Sequence, residues 1–440
     1  MIQEIEYHGD WWIPGESKIA RVQGSLRLSP GDGPLLELLG HFGRHWNDKG
    51  PIDLVLGETS AGKVTLCNCI RTQYKSSYPV EKSRYSARVA FVGIHMEKVT
   101  QITFNSVLFR PFNLFQWINK RGLEWNGLDE SRLPVSYSKP QNFDFDISEA
   151  CRAQVRFYYT ATSYYINSRI ELEERCDVRL KYRNEKSFDD IIEDIQVICG
   201  FITLATFEQS YPVEIKFTTK DTEVSEISCF FRDSTYNAEH KYRYDAEHLL
   251  KFEDVKAVFP QLMARWYSEY KRMRPVFNLL LFSFRNKRRF SEDRFVDTAK
   301  AVEIFHRMTT SNQQQPEQDF NSRIDSILSR VSPEDRDWLR DKLLYANEPT
   351  LRARIKDLLT RHQTSYIIEK ILNPKVFSHD VVNSRNYYTH FTKDLEKLAL
   401  RGHELYQLNR SLMGLLITCL FCHLGIDGEL LSSGLKWNLR

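Results

Sequence analysis

The feature that most constrains this chain is a change of hydrophobic period near His248. Up to about Thr219, apolar and polar residues alternate in short runs broken by turn residues, the period-2 pattern of strands. "PIDLVLGETSAGKVTLCNCI" reads strand, turn, strand, and "SARVAFVGIHM" and "KVTQITFNSVLF" follow as strands. "AQVRFYYTATSYYINSRIELEE" is dense in aromatic and β-branched residues, and "PVEIKFTT" reads the same way. Phe188–Phe207 breaks the pattern, because its apolar spacing suits a helix. Many short strands separated by turns suggest a sandwich or barrel-like domain.

From His248 the period is 3.6. "FEDVKAVFPQLMARWYSEYKRMRPVFNLLLFSF" is a long helical pattern that Pro260 and Pro275 should interrupt. "SEDRFVDTAKAVEIFHRMT" carries Phe295, Ala299, Val302 and Phe305 on one face, with Ser291 as a cap. "FNSRIDSILSRV", "SPEDRDWLRDKLLY" and "EPTLRARIKDLLTRH" read as three more helices, and Ser384 to about Gly425 as two, bent near Gly402. The expectation is an α+β chain. It comprises a β-rich, sandwich-like domain over 1–219, a connector over 220–247 and an all-α bundle over 248–440.

Composition narrows the function. The 440 residues carry a formal net charge of only +3, so any nucleic-acid site must be a local basic patch. The beginning, "MIQEIEYHGDWW", shows no secretory pattern. The apolar run "LMGLLITCLFCHLG" is short for a bilayer and contains His423. These features predict a cytoplasmic protein with no membrane partner, whose eight cysteines are reduced.

Several motifs imitate chemistry. "GETSAGKV" (Gly57–Val64) approximates a phosphate-binding loop, but that loop needs a helix after the Lys and a hydroxyl where Val64 stands. It reads as a hairpin, with Gly57 and Gly62 supplying the turn conformations. "CLFCH" (Cys419–His423) spells a haem-attachment signature inside an apolar helix and reads as core packing. Zinc bound by Cys67, Cys69, Cys419 and Cys422 rests on a count alone. His41 and His45 are flanked by Gly40 and Gly43, which argues against a helical metal pair. No metal or cofactor is expected.

"NSRNYYTH" places Arg385 and His390 five positions apart. With 12 His in the chain, about one such pair arises by chance, and "RYDAEH" (Arg243–His248) is a second match. If the helix starts at Asn383 or Ser384, its N-terminal N–H groups lie beside Arg385 and seat a phosphate. Tyr388, Phe391, Leu395 and Leu398 would then form the buried stripe, leaving His390 on a polar flank with Asp394, Lys397 and Arg401. RNA carries its own nucleophile, the 2′-OH. A His can move that proton or protonate the leaving 5′-oxygen, and an Arg can hold the phosphate. Positions five apart on a regular helix diverge by about 140°. The pair therefore converges only at an irregular helix start or with a second subunit.

Arg385-Asn386-Tyr387-Tyr388-Thr389-His390 resembles the motif of HEPN ribonucleases, in which Asn after the Arg is a favoured form that "RYDAEH" lacks. The layout, including "GSLRLSPGDGPLLELLG" and "IDLVLGETSAGKVTL", resembles ApeA-type anti-phage proteins, a β-rich domain joined to a HEPN bundle. The resemblance implies a metal-independent endoribonuclease of abortive infection, leaving a 2′,3′-cyclic phosphate and a 5′-OH. Arg385 and His390 would be the catalytic pair, with Asn386 orienting the His or touching the phosphate. It further implies pairing into at least a dimer, a β-rich sensor domain, tRNA as a candidate substrate and a phage protein as a candidate activator. Arg285, Lys287, Arg288 and Arg289, with Lys271, Arg272 and Arg274 upstream, are the candidate RNA track. Tyr387 and Tyr388 could stack on bases. The alternative is a non-catalytic binding sensor with a degenerate bundle.

Overall fold

Alternating apolar residues close the first strands on themselves. Ile5–Trp12 (β1), Val22–Ser29 (β2), Gly33–Leu39 (β3), Ile52–Thr59 (β4), Gly62–Ser77 (β5) and Val80–Val92 (β6) pair antiparallel in the order β6-β3-β2-β1-β4-β5, and β5 pairs back onto β6. Leu26, Leu28, Leu36, Leu38, Val64, Leu66 and Ala90 belong to one buried cluster that includes Trp11. A six-stranded barrel is narrow enough for side chains alone to fill it. The sandwich-or-barrel expectation thus resolves to a closed barrel.

Gly57 sits in β4 opposite Trp11. A Cβ there would come within 2.3 Å of the indole ring, so this glycine makes room for the barrel's largest core residue and is not a turn residue. The turn is made by Gly62, at φ +91°, and by Thr59, whose Oγ1 accepts from Ala61 N–H and donates to the Gly62 carbonyl. Lys63 pairs with Glu58 in the ladder, which removes the phosphate-loop reading.

The computed structural model describes residues 4–15, 21–29, 31–43, 50–77, 80–96, 103–125, 135–164, 169–219, 226–232, 236, 242–285, 291–391 and 393–440. The chain divides into two units, Met1–Tyr267 and Ser268–Arg440. In the first, Thr103–Pro111 (β7), Phe143–Ser148 (β10), Cys151–Tyr164 (β11), Arg169–Ser187 (β12), Pro212–Thr218 (β13) and Ile227–Phe231 (β14) continue the barrel wall as an open sheet. The sheet joins the barrel where β14 pairs with β6. Leu114–Ile118 (α1) and the hairpin of Leu123–Trp125 (β8) with Val135–Tyr137 (β9) lie between β7 and β10 in the chain.

Phe188–Thr206 (α2) is the helix expected inside the β region. Ser187 Oγ caps it by accepting from Asp190 N–H, and its second half is buried. Phe252–Val255 (α3) and Phe259–Arg272 (α4) follow, the second with Pro260 in its first turn. Trp266 donates to the Val197 carbonyl at 2.8 Å, and the Tyr267 hydroxyl donates to buried Asp194 at 2.6 Å. These two bonds fasten the middle of α4 to α2.

The second unit is all helix among its described residues. Arg274–Arg285 (α5), Ser291–Thr309 (α6), Leu351–Arg361 (α9), Pro374–His390 (α11) and Gly402–His423 (α13) form the bundle, with Ser365–Lys370 (α10) and Ser432–Asn438 (α14) packed at its end. Phe295, Ala299, Val302 and Phe305 are buried as their spacing predicts. Glu317–Leu328 (α7) and Pro333–Leu343 (α8) pack on one another as a hairpin between α6 and α9, and Lys393–Glu396 (α12) is a single turn. The apolar run expected to be too short for a bilayer belongs to 22-residue α13. By length and composition that helix could cross a membrane, but 72% of its apolar window is buried within the chain, as in a core helix.

Overpacking the barrel is the sharpest test of this core. Gly57→Ala should cost about 1–3 kcal/mol, because the clash is with a ring fixed on all sides. Gly62→Ala, strained but with open space around it, should cost about 1 kcal/mol. Urea denaturation of the full chain measures both.

Candidate active site

The motif lies at the end of its helix, not at the start. Arg385, Asn386 and His390 occupy the last two turns of α11, which is regular from Pro374. Asn373 is the cap: its side chain accepts from Lys375 N–H at 3.1 Å and Val376 N–H at 3.2 Å, with Pro374 in the first helical position. Asn383 and Ser384, expected as caps, are buried in mid-helix, where the Asn383 amide meets the His379 ring at 2.9 Å. The helix N-terminus is about 16 Å from Arg385 at 1.5 Å per residue, so it cannot seat a phosphate there.

The expected stripe beyond His390 also fails. Phe391 adopts the left-handed conformation (φ +51°) and ends α11. Phe391 is 69% exposed and Leu398 50% exposed, so the alignment of His390 with Asp394, Lys397 and Arg401 on one helix does not exist. The chain turns instead and is clamped back onto α11 at one residue, Leu400. Leu400 N–H donates to Ser384 Oγ at 3.0 Å, and the Tyr388 hydroxyl donates to the Leu400 carbonyl at 2.9 Å. Burial raises the Tyr388 phenol above its ordinary value, which keeps it a donor.

Arg385 is held by two partners. Its Nη1 donates to Asn386 Oδ1 at 3.0 Å, and its Nη2 lies 3.4 Å from Glu303 on α6. Asn386 therefore reaches Arg385 and not His390. His390 is exposed and its ring bonds to none of the described residues. Glu303 also faces Arg307 at 3.4 Å, and Arg307 meets Glu348 at 2.6 Å. Glu348 is 3.5 Å from buried Arg354, whose Nη1 is 3.1 Å from His306, and His306 reaches Asp357 at 3.0 Å. Arg385 thus stands at the exposed end of a charged chain that runs from α6 into α9.

A second cation borders the motif. The Arg401 guanidinium lies 5.6 Å from the Tyr387 ring centroid and pairs with Glu396 at 3.0 Å. Tyr387 also contacts the rings of Tyr388 and Phe391. An anion at this helix end is drawn by side-chain cations, because the terminal carbonyls of a helix repel it. Sequence reading missed Glu303 and gave Arg401 no role. The Glu303–Arg307 spacing is a visible i,i+4 pair, but its contact with Arg385, 82 residues on, is not.

The Arg243–His248 and Cys419–His423 motifs resolve as structure. Arg243 of "RYDAEH" pairs with Glu208 and Glu247, and His248 is buried, with burial holding its imidazole below the ordinary value. In "CLFCH", Cys419 is fully buried and His423 meets Glu269 at 2.9 Å. Burial pushes the Cys67 thiol up to about 12 and the Cys69 thiol higher, and all eight cysteines are free of disulfides. No group of three metal-ligating side chains occurs among the described residues. His41 faces Glu81 at 3.2 Å, while His45 lies outside the described residues. Arg285 is exposed at the last position of α5, and Lys287, Arg288 and Arg289 lie outside the described residues. Upstream, Arg272 is engaged by Glu269 and the Met308 carbonyl.

Comparison with known families gives two matches. Residues 6–266 match the family model described as ApeA N-terminal domain 1, and residues 296–430 match the model described as Apea-like HEPN. No curated protein and no solved structure matches the chain.

The charged chain behind Arg385 contains a pH-sensitive member. Burial, with Arg354 alongside, holds the His306 imidazole below its ordinary 6.5 against the opposing pull of Asp357, and burial lowers His362 as well. A depressed folded value means that the unfolded chain takes the proton first. Stability is complete above about pH 6.5 and is lost as the pH falls through the folded value. The melting temperature of the full chain should fall from about pH 7.5 to about pH 5.5, and His306→Gln should lessen that fall.

Proposed function

The chain belongs to the ApeA family, an anti-phage family with a C-terminal HEPN nuclease domain, and from that premise we propose that it is a metal-independent endoribonuclease. Arg385 and His390 are the catalytic pair. In this reading His390 moves the 2′-OH proton or protonates the leaving 5′-oxygen, and Arg385 holds the phosphate as charge builds on it. The products are a 2′,3′-cyclic phosphate and a 5′-OH. Asn386 and Glu303 fix the Arg385 fork, and Arg401 adds charge beside the phosphate.

The observation that carries the reading is the regularity of α11 through the motif. With an irregular helix start excluded, the two side chains of one copy diverge by about 140°. A two-fold axis beside the helix ends sets Arg385 of each copy against His390 of the other and yields two identical sites. The active species is therefore at least a homodimer.

The β-rich unit is the sensor that restrains the bundle, with a phage protein as activator. tRNA is the candidate substrate, the basic segment from Arg285 to Arg289 its candidate track, and the cytoplasm the setting.

Arg385→Ala and His390→Ala should each slow RNA cleavage by about 10²–10⁴-fold, with EDTA without effect on the wild type. Sequencing of 5′-OH ends should show cuts that vanish in both variants. Cleavage unchanged in either variant, or abolished by EDTA, would falsify the proposal.

A further inference from the structure

The α7–α8 hairpin is an arm that the bundle leaves bare. From Glu317 to Tyr345 only Leu328 is buried. Trp338 is 62% exposed and Tyr345 70% exposed, with Leu344 exposed beside them. Helices of 12 and 11 residues are marginal in water, and their stability comes from burying an apolar face. Here almost nothing is buried, and large aromatic side chains, the type that anchors interfaces, stand in solvent.

The arm is nevertheless fixed at its foot. Gln314 N–H donates to the Asn347 carbonyl at 2.8 Å, and Asn347 exchanges two further bonds with the backbone of Gln315. Glu348, the next residue, carries the foot's charge to Arg307, which shares Glu303 with Arg385. The bare surface is therefore rooted in the charged chain that holds the catalytic Arg.

Charge identifies the occupant. Glu317–Tyr345 carries seven Asp and Glu against five Lys and Arg, an acidic surplus that disfavours RNA. The rest of Ser268–Arg440 carries 23 Lys and Arg against 14 Asp and Glu. The complement of the arm is the basic remainder of the same unit, supplied by another copy. The site itself calls for that copy, because Arg385 and His390 diverge within one chain.

We propose that the α7–α8 arm docks on a second copy of this chain, with Trp338 and Tyr345 as anchors, and so completes the composite site. The proposal rests on the nuclease reading only for the need of two copies, and its test does not use cleavage as the primary readout. Sedimentation equilibrium of the full chain should show a dimer that weakens with added salt. Trp338→Ala with Tyr345→Ala should weaken it at least 10-fold. Helix content and melting should be unchanged, since both side chains are exposed, and Trp338→Phe with Tyr345→Phe should restore most of the association. RNA cleavage by the Ala pair should fall at low protein concentration and recover at high. A wild type that stays monomeric, or an Ala pair that dimerises as tightly as wild type, overturns the proposal. Loss of cleavage in an Ala pair that still dimerises also overturns it and points to another protein as occupant. His390→Ala separates the two readings: it should remain a dimer and be inactive. An active His390→Ala sinks the nuclease reading while leaving the sedimentation result to decide the arm.

Discussion

A regular α-helix turns about 100° per residue, and α11 keeps that geometry from Pro374 through His390. The geometry of the Arg385–His390 motif follows from that constraint. It fixes Arg385 toward Glu303 on α6 and sends His390 into solvent on another side. It leaves no N-terminal amides near the motif, where Arg385 and Arg401 are the cations. It sets the side chains of Arg385 and His390 in one copy about 140° apart. The clamp of Leu400 onto Ser384 and Tyr388 holds the end of the helix in this state.

The electrostatics behind the motif are layered. Arg385 and Glu303 are partly exposed, and such pairs are individually weak. Further in, Arg354 is fully buried and depends on Glu348 and His306. A buried cation tolerates the loss of a partner poorly, so the inner pairs hold α6 against α9, while breaking the outer pair costs little. The acidic arm begins where this chain meets Glu348.

Much of the fold was legible because local signals agreed with the long-range pattern. The hairpin at Gly57–Val64, the helix at Phe188–Thr206 and the breaks before Pro260 and Pro275 follow from alternation, spacing and proline chemistry. The HEPN likeness was legible in the stretch around Asn386, and the family match over 296–430 bears out the family. The helix around it was not. Asn373-Pro374 is a strong start signal, but the 3.6 pattern was followed only from Ser384. The stop at Phe391 has neither Gly nor Pro to announce it, since a Phe takes the left-handed conformation there. Gly57 was read as a turn residue because the approach of Trp11 arises only when the barrel closes. Glu303 was invisible for the same reason: its partner comes from a helix brought near by packing.

The central claim is that one Arg and one His from different copies make each site. Mixing purified Arg385→Ala chains with His390→Ala chains tests it most directly. Each variant alone has no intact site. A dimer of the two has one site with both residues and one with neither. The account predicts that the mixture regains cleavage, to about a quarter of wild type if pairing is random. A mixture that exchanges subunits yet stays as inactive as either variant would contradict it, and would place the pair within a single chain.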